Sequence, residues 1–291
     1  MRLTCLQPDT GLFTLLTGIV PMTSTKPVAL VTGASSGIGK ATAEALLQAG
    51  YTVYGTSRRA ADTAPGSLPM LALDVTREAS VAEAVSELMQ REGRIDLLVN
   101  NAGVGLSPAG AEESSVLQAQ ALFDINFFGM VRMIRAVVPY MRQQGSGRII
   151  NIGSILGLVP VPYVALYVAS KHAVAGYSEA LDHELRNRGI RVSVIEPAYI
   201  RTPFEANNLM ADALLTEYAG ERETVSLAVG QAMASADAPS VVAAVVLKAA
   251  RAARPQRRYT AGKAAARLRL LRHFAPDSVL DAGIRKNLKL A

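Results

Sequence analysis

The sequence is short of metal-binding and cross-linking side chains. It has a single cysteine, Cys5, and three histidines, His172, His183 and His273. One cysteine forms no intrachain disulfide, and a cysteine-ligated zinc site is excluded with it. The histidines show no metal-ligand spacing, so no metal is expected. Aromatic residues are 5% of the chain, which leaves few for stacking on nucleobases. No zinc-finger, RNA-recognition or helix-turn-helix signature is present either, so no nucleic acid is expected as a partner. Residues 11–20 are apolar but too short to span a bilayer. They also lack the small-x-small cleavage site of a signal peptide. Residues 1–21 are therefore expected to be an extension upstream of a second start at Met22, with no role in the fold.

Of the 291 residues, 50% are hydrophobic and 19% charged. That is enough apolar surface for one large α/β domain or two small ones. It excludes a disordered, collagen-like or disulfide-stapled chain. The net charge of +6 taken alone points to an acidic partner. Its placement changes that reading. Residues 251–291 hold eleven Lys/Arg against two Asp/Glu, a net of +9. The other 250 residues hold 19 basic and 22 acidic side chains, a net of −3.

From Lys26 onward, strand and helix patterns alternate. Short apolar runs read as strands over 27–32, 51–57, 70–75, 95–100, 148–153 and 191–196. Between them, apolar residues recur at helical spacing. Ile38, Thr42, Ala45, Leu46 and Ala49 mark one helix, Val81, Ala84, Val85, Leu88 and Met89 a second. Met130, Ile134, Val137, Val138 and Met141 mark a long third, and another helix is expected over 164–188. Strands that are apolar throughout, alternating with helices, predict a doubly wound parallel sheet covered on both faces. Residues 26–262 read as one domain with a substrate-loop insertion near 198–236, and 263–291 as a basic C-terminal helical segment.

Thr32-Gly33-Ala34-Ser35-Ser36-Gly37-Ile38-Gly39 lies between the first strand and the first helix. Glycines let a backbone turn tightly and approach a ligand. The loop N–H groups and the positive helix end suit a pyrophosphate. At the end of the second strand stands Thr56-Ser57-Arg58-Arg59, where NAD-binding sheets often place a carboxylate for the ribose hydroxyls. Guanidinium groups match phosphate oxygens instead, so a 2′-phosphate and NADP(H) rather than NAD(H) is expected.

Tyr167 and Lys171, four residues apart, share one face of a helix. A neighbouring ammonium favours the phenolate and lowers a tyrosine's pKa, which brings it within reach of general acid/base work near neutrality. Ser154 follows the Ile149–Gly153 strand, Asn100-Asn101-Ala102-Gly103 closes another, and Asn126 is read as opening the long helix. With Asp74-Val75 after the third strand and a proline after the sixth, these motifs resemble the short-chain dehydrogenase/reductase family from about Lys26 to at least Thr202. Gly157, Leu158, Pro160 and Pro162 resemble its steroid- and retinoid-type branch.

The resemblance implies a catalytic set of Asn126, Ser154, Tyr167 and Lys171. Tyr167 would exchange a proton with the substrate oxygen and Ser154 would stabilise that oxygen. Lys171 would tune Tyr167 and bind the nicotinamide ribose, and Asn126 would hold a relay water. It also implies cofactor contacts from Gly33, Ser35, Ser36, Gly37, Ile38, Gly39, Ser57, Arg58, Arg59, Asp74, Val75, Asn101, Ala102, Gly103, Pro197, Ile200 and Thr202. One departure is Ala198, where the family often has glycine.

The expected activity is NADP(H)-dependent interconversion of a carbonyl and a primary or secondary alcohol. Leu156, Leu158, Val159, Val161, Tyr163, Ala198, Tyr199, Phe204 and Leu209 are expected around the substrate, which implies a small hydrophobic molecule. The family also implies a homodimer or homotetramer. Two alternatives stand beside the enzyme: a cofactor-binding regulator without turnover, and a membrane-surface adaptor acting through residues 251–291. A cytoplasmic location is expected, with peripheral membrane contact left open. For Ala264–Phe274 two readings compete: an interfacial helix on anionic lipid, or a lid helix packed on the domain with its charges in water.

Overall fold

Val28, Ala29, Leu30 and Val31 are all fully buried, yet they enter two different cores. Val28 and Leu30 pack with one apolar cluster, Ala29 and Val31 with another. A strand at period two can do this only when both sheet faces are covered. The computed structural model describes residues 26–58 and 67–290. The expected extension, residues 1–21, and Arg59 lie outside the described residues.

In chain order the elements are β1 (Val28–Val31), α1 (Gly37–Gln48), β2 (Thr52–Ser57), β3 (Met70–Ala72), α2 (Glu78–Glu92), β4 (Leu97–Asn100), α3 (Val116–Phe123) and α4 (Gly129–Gln144). There follow β5 (Gly147–Ile152), α5 (Ala165–Leu185), β6 (Ile190–Pro197), α6 (Ala219–Ala234), α7 (Pro239–Arg251), β7 (Arg258–Ala261), α8 (Lys263–Phe274) and α9 (Asp277–Asn287). The strands form one parallel sheet in the order β3-β2-β1-β4-β5-β6-β7. α1 and α7 cover one face, and α2, α4 and α5 cover the other. The chain reverses its direction of travel between β1 and β4, and ligands of open α/β sheets bind at such a reversal.

Two placements differ from the sequence reading. Asn126 does not open a helix. It sits in a π-helical turn, Asp124–Phe128, that joins α3 and α4. Residues 258–261 of the basic stretch form the edge strand β7. There Arg258 pairs with the fully buried Glu196 at 2.7 Å and with Glu179 at 2.9 Å. Part of the tail's charge is thus neutralised inside the domain.

The insertion is closed at its base. Arg201 N donates to Asp237 O, and Asp237 N donates to Tyr199 O. α8 meets the body through the fully buried Ala265, while Leu270 and Phe274 point to solvent. Lys263, Arg267, Arg269 and Arg272 are exposed as well.

Candidate active site

The loop after β1 is built for close approach. A side chain at Gly39 would collide with the carbonyl oxygen of Gly33 and with the Asn101 amide. That amide, at the end of β4, donates to Thr32 O at 2.9 Å and Gly33 O at 3.0 Å. The Thr32 hydroxyl oxygen accepts from the N–H groups of Asn101 and Ala102 at 2.9 and 3.0 Å. The glycine loop and the segment Asn101–Gly103 are thereby locked together at the sheet reversal. Thr202 lies against Gly37 and brings the start of the insertion over the loop. Ser35, Ser36 and Ile38 sit between these contacts.

Ser57 closes β2, and Arg58 follows it at the exposed rim. Across from them Thr76 donates its hydroxyl to Asp74 Oδ1 at 2.7 Å and its N–H at 2.9 Å. These bonds hold the Asp74 carboxyl below its usual range, with Arg58 a smaller contributor. Val75 is buried against Gly129 at the start of α4.

Ser154 stands just beyond β5. Its oxygen accepts from Leu156 N at 3.1 Å. Its hydroxyl draws the pKa of the neighbouring Tyr167 phenol downward. Burial outweighs that influence and pushes Tyr167 up to about 12. Lys171 is buried, donates to Ile152 O at 3.2 Å and lies 5.5 Å from the centre of the Tyr167 ring. Burial pushes Lys171 down to about 8. The sequence reading expects the ammonium to pull Tyr167 downward. Loss of water around the hydroxyl sets the direction instead, and the opposing influence is Ser154.

Asn126 is engaged at both ends of its amide. Oδ1 accepts from Val104 N at 2.8 Å, and Nδ2 donates to Val104 O at 2.9 Å. Nδ2 also reaches the Ser170 hydroxyl at 3.4 Å, and Ser170 donates to Tyr167 O at 2.8 Å. Ser170 links the π turn to the helix carrying Tyr167 and is absent from the sequence-derived set, although it stands inside Tyr-Val-Ala-Ser-Lys.

The expected substrate residues divide. Phe204 packs edge-on against Tyr167, with ring centroids 6.4 Å apart. Leu156 and Leu158 flank the turn after Ser154, and Tyr199 is partly exposed at the end of β6. Leu209 is stitched to the loop after β4, donating to Gly105 O and accepting from Ser107 N. Val159 is buried. Val161 and Tyr163 pack outward on Val225, Ala228 and Leu288. Pro197 and Ile200 are buried beside the site. Among the described residues, the non-glycine positions with positive φ are Tyr163 and Lys289. Ala198 therefore sits in ordinary backbone space and carries no strain where the family often has glycine.

One cluster had no signal in the sequence. The buried Glu113 accepts from Gly110 N at 2.6 Å and Leu215 N at 2.7 Å, and pairs with Arg222. Ser115 bonds Asp212, and Tyr218 donates to Glu112. Residues 110–115 thus hold the insertion down over the site. The partners are about a hundred positions apart, beyond the reach of any local pattern.

A sequence model of the family described as "short chain dehydrogenase" matches residues 27–212. The chain belongs to the short-chain dehydrogenase family. A relative within similar proteins is a 3-ketodihydrosphingosine reductase of Bacteroides thetaiotaomicron, 44% identical over 185 residues, 64% of this chain and 68% of that protein. Among solved structures, a short-chain dehydrogenase of Burkholderia cenocepacia in complex with NADP is 27% identical with a TM-score of 0.71, covering 89% of this chain and 97% of that one. A short-chain dehydrogenase/reductase of Burkholderia phymatum in complex with NAD is 28% identical with the same TM-score, covering 85% and 93%.

A short-chain dehydrogenase uses a nicotinamide dinucleotide, and this loop fits one. Ser36, the residue preceding α1, makes no side-chain cap bond, and the first turn holds no acidic residue. The N–H groups of that turn are left to an anion. Among the described residues, no helix is long and apolar enough to cross a membrane.

Proposed function

We propose that the protein reduces the carbonyl of a hydrophobic, long-chain compound with NADP(H), and oxidises the corresponding alcohol in reverse. The observation that carries this reading is the convergence of the buried Ser154 and Lys171 on Tyr167, with Lys171 Nζ 5.5 Å from the Tyr167 ring centre and the Phe204 ring beside it. When bound, the nicotinamide supplies or accepts the hydride. Tyr167 gives its phenolic proton to the carbonyl oxygen in reduction. Leu156 N–H occupies the Ser154 oxygen, so the serine hydroxyl is turned to donate to that same oxygen as charge develops on it. Lys171, held by Ile152 O, supplies positive charge below the ring and binds the ribose. Asn126 keeps the loop after β4 in place and holds a relay water.

The apolar character of Leu156, Leu158, Tyr199, Phe204 and Leu209 supports a hydrophobic substrate. So does the likeness to a 3-ketodihydrosphingosine reductase. Arg58 at the end of β2, with no carboxylate there, supports NADP(H). The test is a panel of 3-ketodihydrosphingosine, steroid and retinoid carbonyls and short ketones, each with NADPH and NADH. The long-chain ketone with NADPH is the expected best pair. Arg58→Ala should raise the KM for NADPH about tenfold or more and leave that for NADH unchanged. A preference for NADH, or turnover of short ketones alone, overturns the reading.

Self-association is part of the proposal. Val116, Leu117 and Phe128 expose an apolar face on α3 and the π turn, next to the helices after Asn126 and around Tyr167 that the family resemblance pairs between copies. Light scattering on the parent and on Leu117→Glu checks it, with a smaller mass expected for the variant.

A further inference from the structure

α8 carries no acidic residue. It packs beside β7 and the turn Ile155–Gly157, next to Ser154. The side that meets the protein carries the buried Ala265 and the half-buried Leu268, with the exposed Arg269 and Arg272 on either side. Ala265 is fully buried there, Arg269 reaches Arg258 O at 3.3 Å, and Arg272 pairs with Asp277 at 2.8 Å. The opposite side is open, with Leu270 60% and Phe274 73% exposed. Spacing of four, three and four residues places Lys263, Arg267, Leu270 and Phe274 on that one stripe. α9 is fastened elsewhere: Ile284 and Leu288 pack with Val225 and Ala228 of α6 and with Tyr163. The helix pair is thus anchored to the substrate side of the molecule, while α8 turns leucine, phenylalanine and two cations away from it.

In an isolated domain that orientation leaves Leu270 and Phe274 in water, where their apolar surface has no partner. We propose that the outer stripe of α8 docks on an anionic lipid bilayer. Phenylalanine and leucine insert at the acyl boundary, and Lys263 and Arg267 extend to the headgroups. The charge distribution fits this occupant. Residues 251–272 hold eight basic residues and no acidic one, whereas residues 1–250 are net negative. Such a field turns the basic end toward an anionic surface and the body away. Docking would bring the turn after Ser154 close to the bilayer, where a long-chain substrate resides. Only this last consequence rests on the proposed substrate.

The test is co-sedimentation of the full chain with phosphatidylcholine vesicles, with and without phosphatidylglycerol, and no substrate present. Binding is expected to the anionic vesicles only, and high salt should release it. Lys263→Gln and Arg267→Gln should each weaken binding about fivefold. Phe274→Ser should weaken it about tenfold or more. Turnover of any water-soluble substrate should stay at the parent level in all three. Absence of binding to anionic vesicles at low salt overturns the proposal, as does binding that Phe274→Ser leaves intact. A doubled mass in light scattering that Phe274→Ser abolishes and Leu117→Glu does not would show that a second copy covers α8 instead. Docking without turnover of long-chain ketones would refute the substrate reading and leave the docking surface standing.

Discussion

Lys171 is an ammonium in an interior that disfavours it. Its pKa falls from 10.5 to about 8 through burial. Below about pH 8 the folded protein must hold a charge that is cheaper in the unfolded chain, so the penalty is complete there. It fades as pH rises from about 8 toward the unfolded value. The drop corresponds to about 3 kcal/mol. Lys171→Met is therefore expected to raise stability by up to that amount at pH 7, with the gain vanishing near pH 10, as chemical denaturation at several pH values would show. The same variant should lose turnover. In the parent, carbonyl reduction should decline as pH rises through about 8, because the charge beneath Tyr167 disappears; a pH–rate profile reads this directly. Tyr167 itself is a phenol at neutral pH, raised to about 12 by burial. That is the protonation state a proton donor needs. Tyr167→Phe should lower kcat by about a hundredfold or more while NADPH still binds, which fluorescence titration can verify.

At the level of elements, the turn after Ser154 and the helix carrying Tyr167 and Lys171 touch where no side chain intervenes. A Cβ at Gly157 would come within 2.7 Å of Lys171 O. Gly157→Ala should push α5 away from the serine and cost roughly tenfold or more in kcat, measurable in the same assay, with the circular dichroism spectrum unchanged. Legibility in the sequence follows the range of the interactions involved. β1, β4 and β5 are buried on both faces and so appear as continuous apolar runs. The glycine loop and the Tyr167–Lys171 pair are legible because their chemistry sits in a few consecutive residues. β7 is four residues long, opens with an arginine and depends on Glu196 and Glu179 for its place. Nothing local marks it. The π turn is also invisible, because one extra residue per turn changes no residue type. Its register is set by the bonds from Asn126 to Val104 and Ser170. α8 was legible as a helix, but which side it would show to water was decided by Ala265 packing on the body.

Across the whole molecule, the insertion over the site is held down by side chains remote from it in sequence. Glu113 takes the N–H of the nearby Gly110, and the N–H of Leu215 and the guanidinium of Arg222 from about a hundred residues on. Glu113→Ala should loosen residues 204–222. Limited proteolysis should then cut there first, and the KM for a bulky substrate should rise several-fold with cofactor affinity unchanged. Insensitivity of that segment to protease in the variant would show that the clamp is dispensable. For anyone recombining members of this family, the clamp redefines the exchangeable part. A donor's specificity loop moved by itself would arrive without its lock, since Glu113 and Ser115 lie upstream on the other side of the catalytic helix. The heritable cassette is a discontinuous pair of segments, roughly 105–115 with 198–236, and a chimera is viable only when both come from one parent.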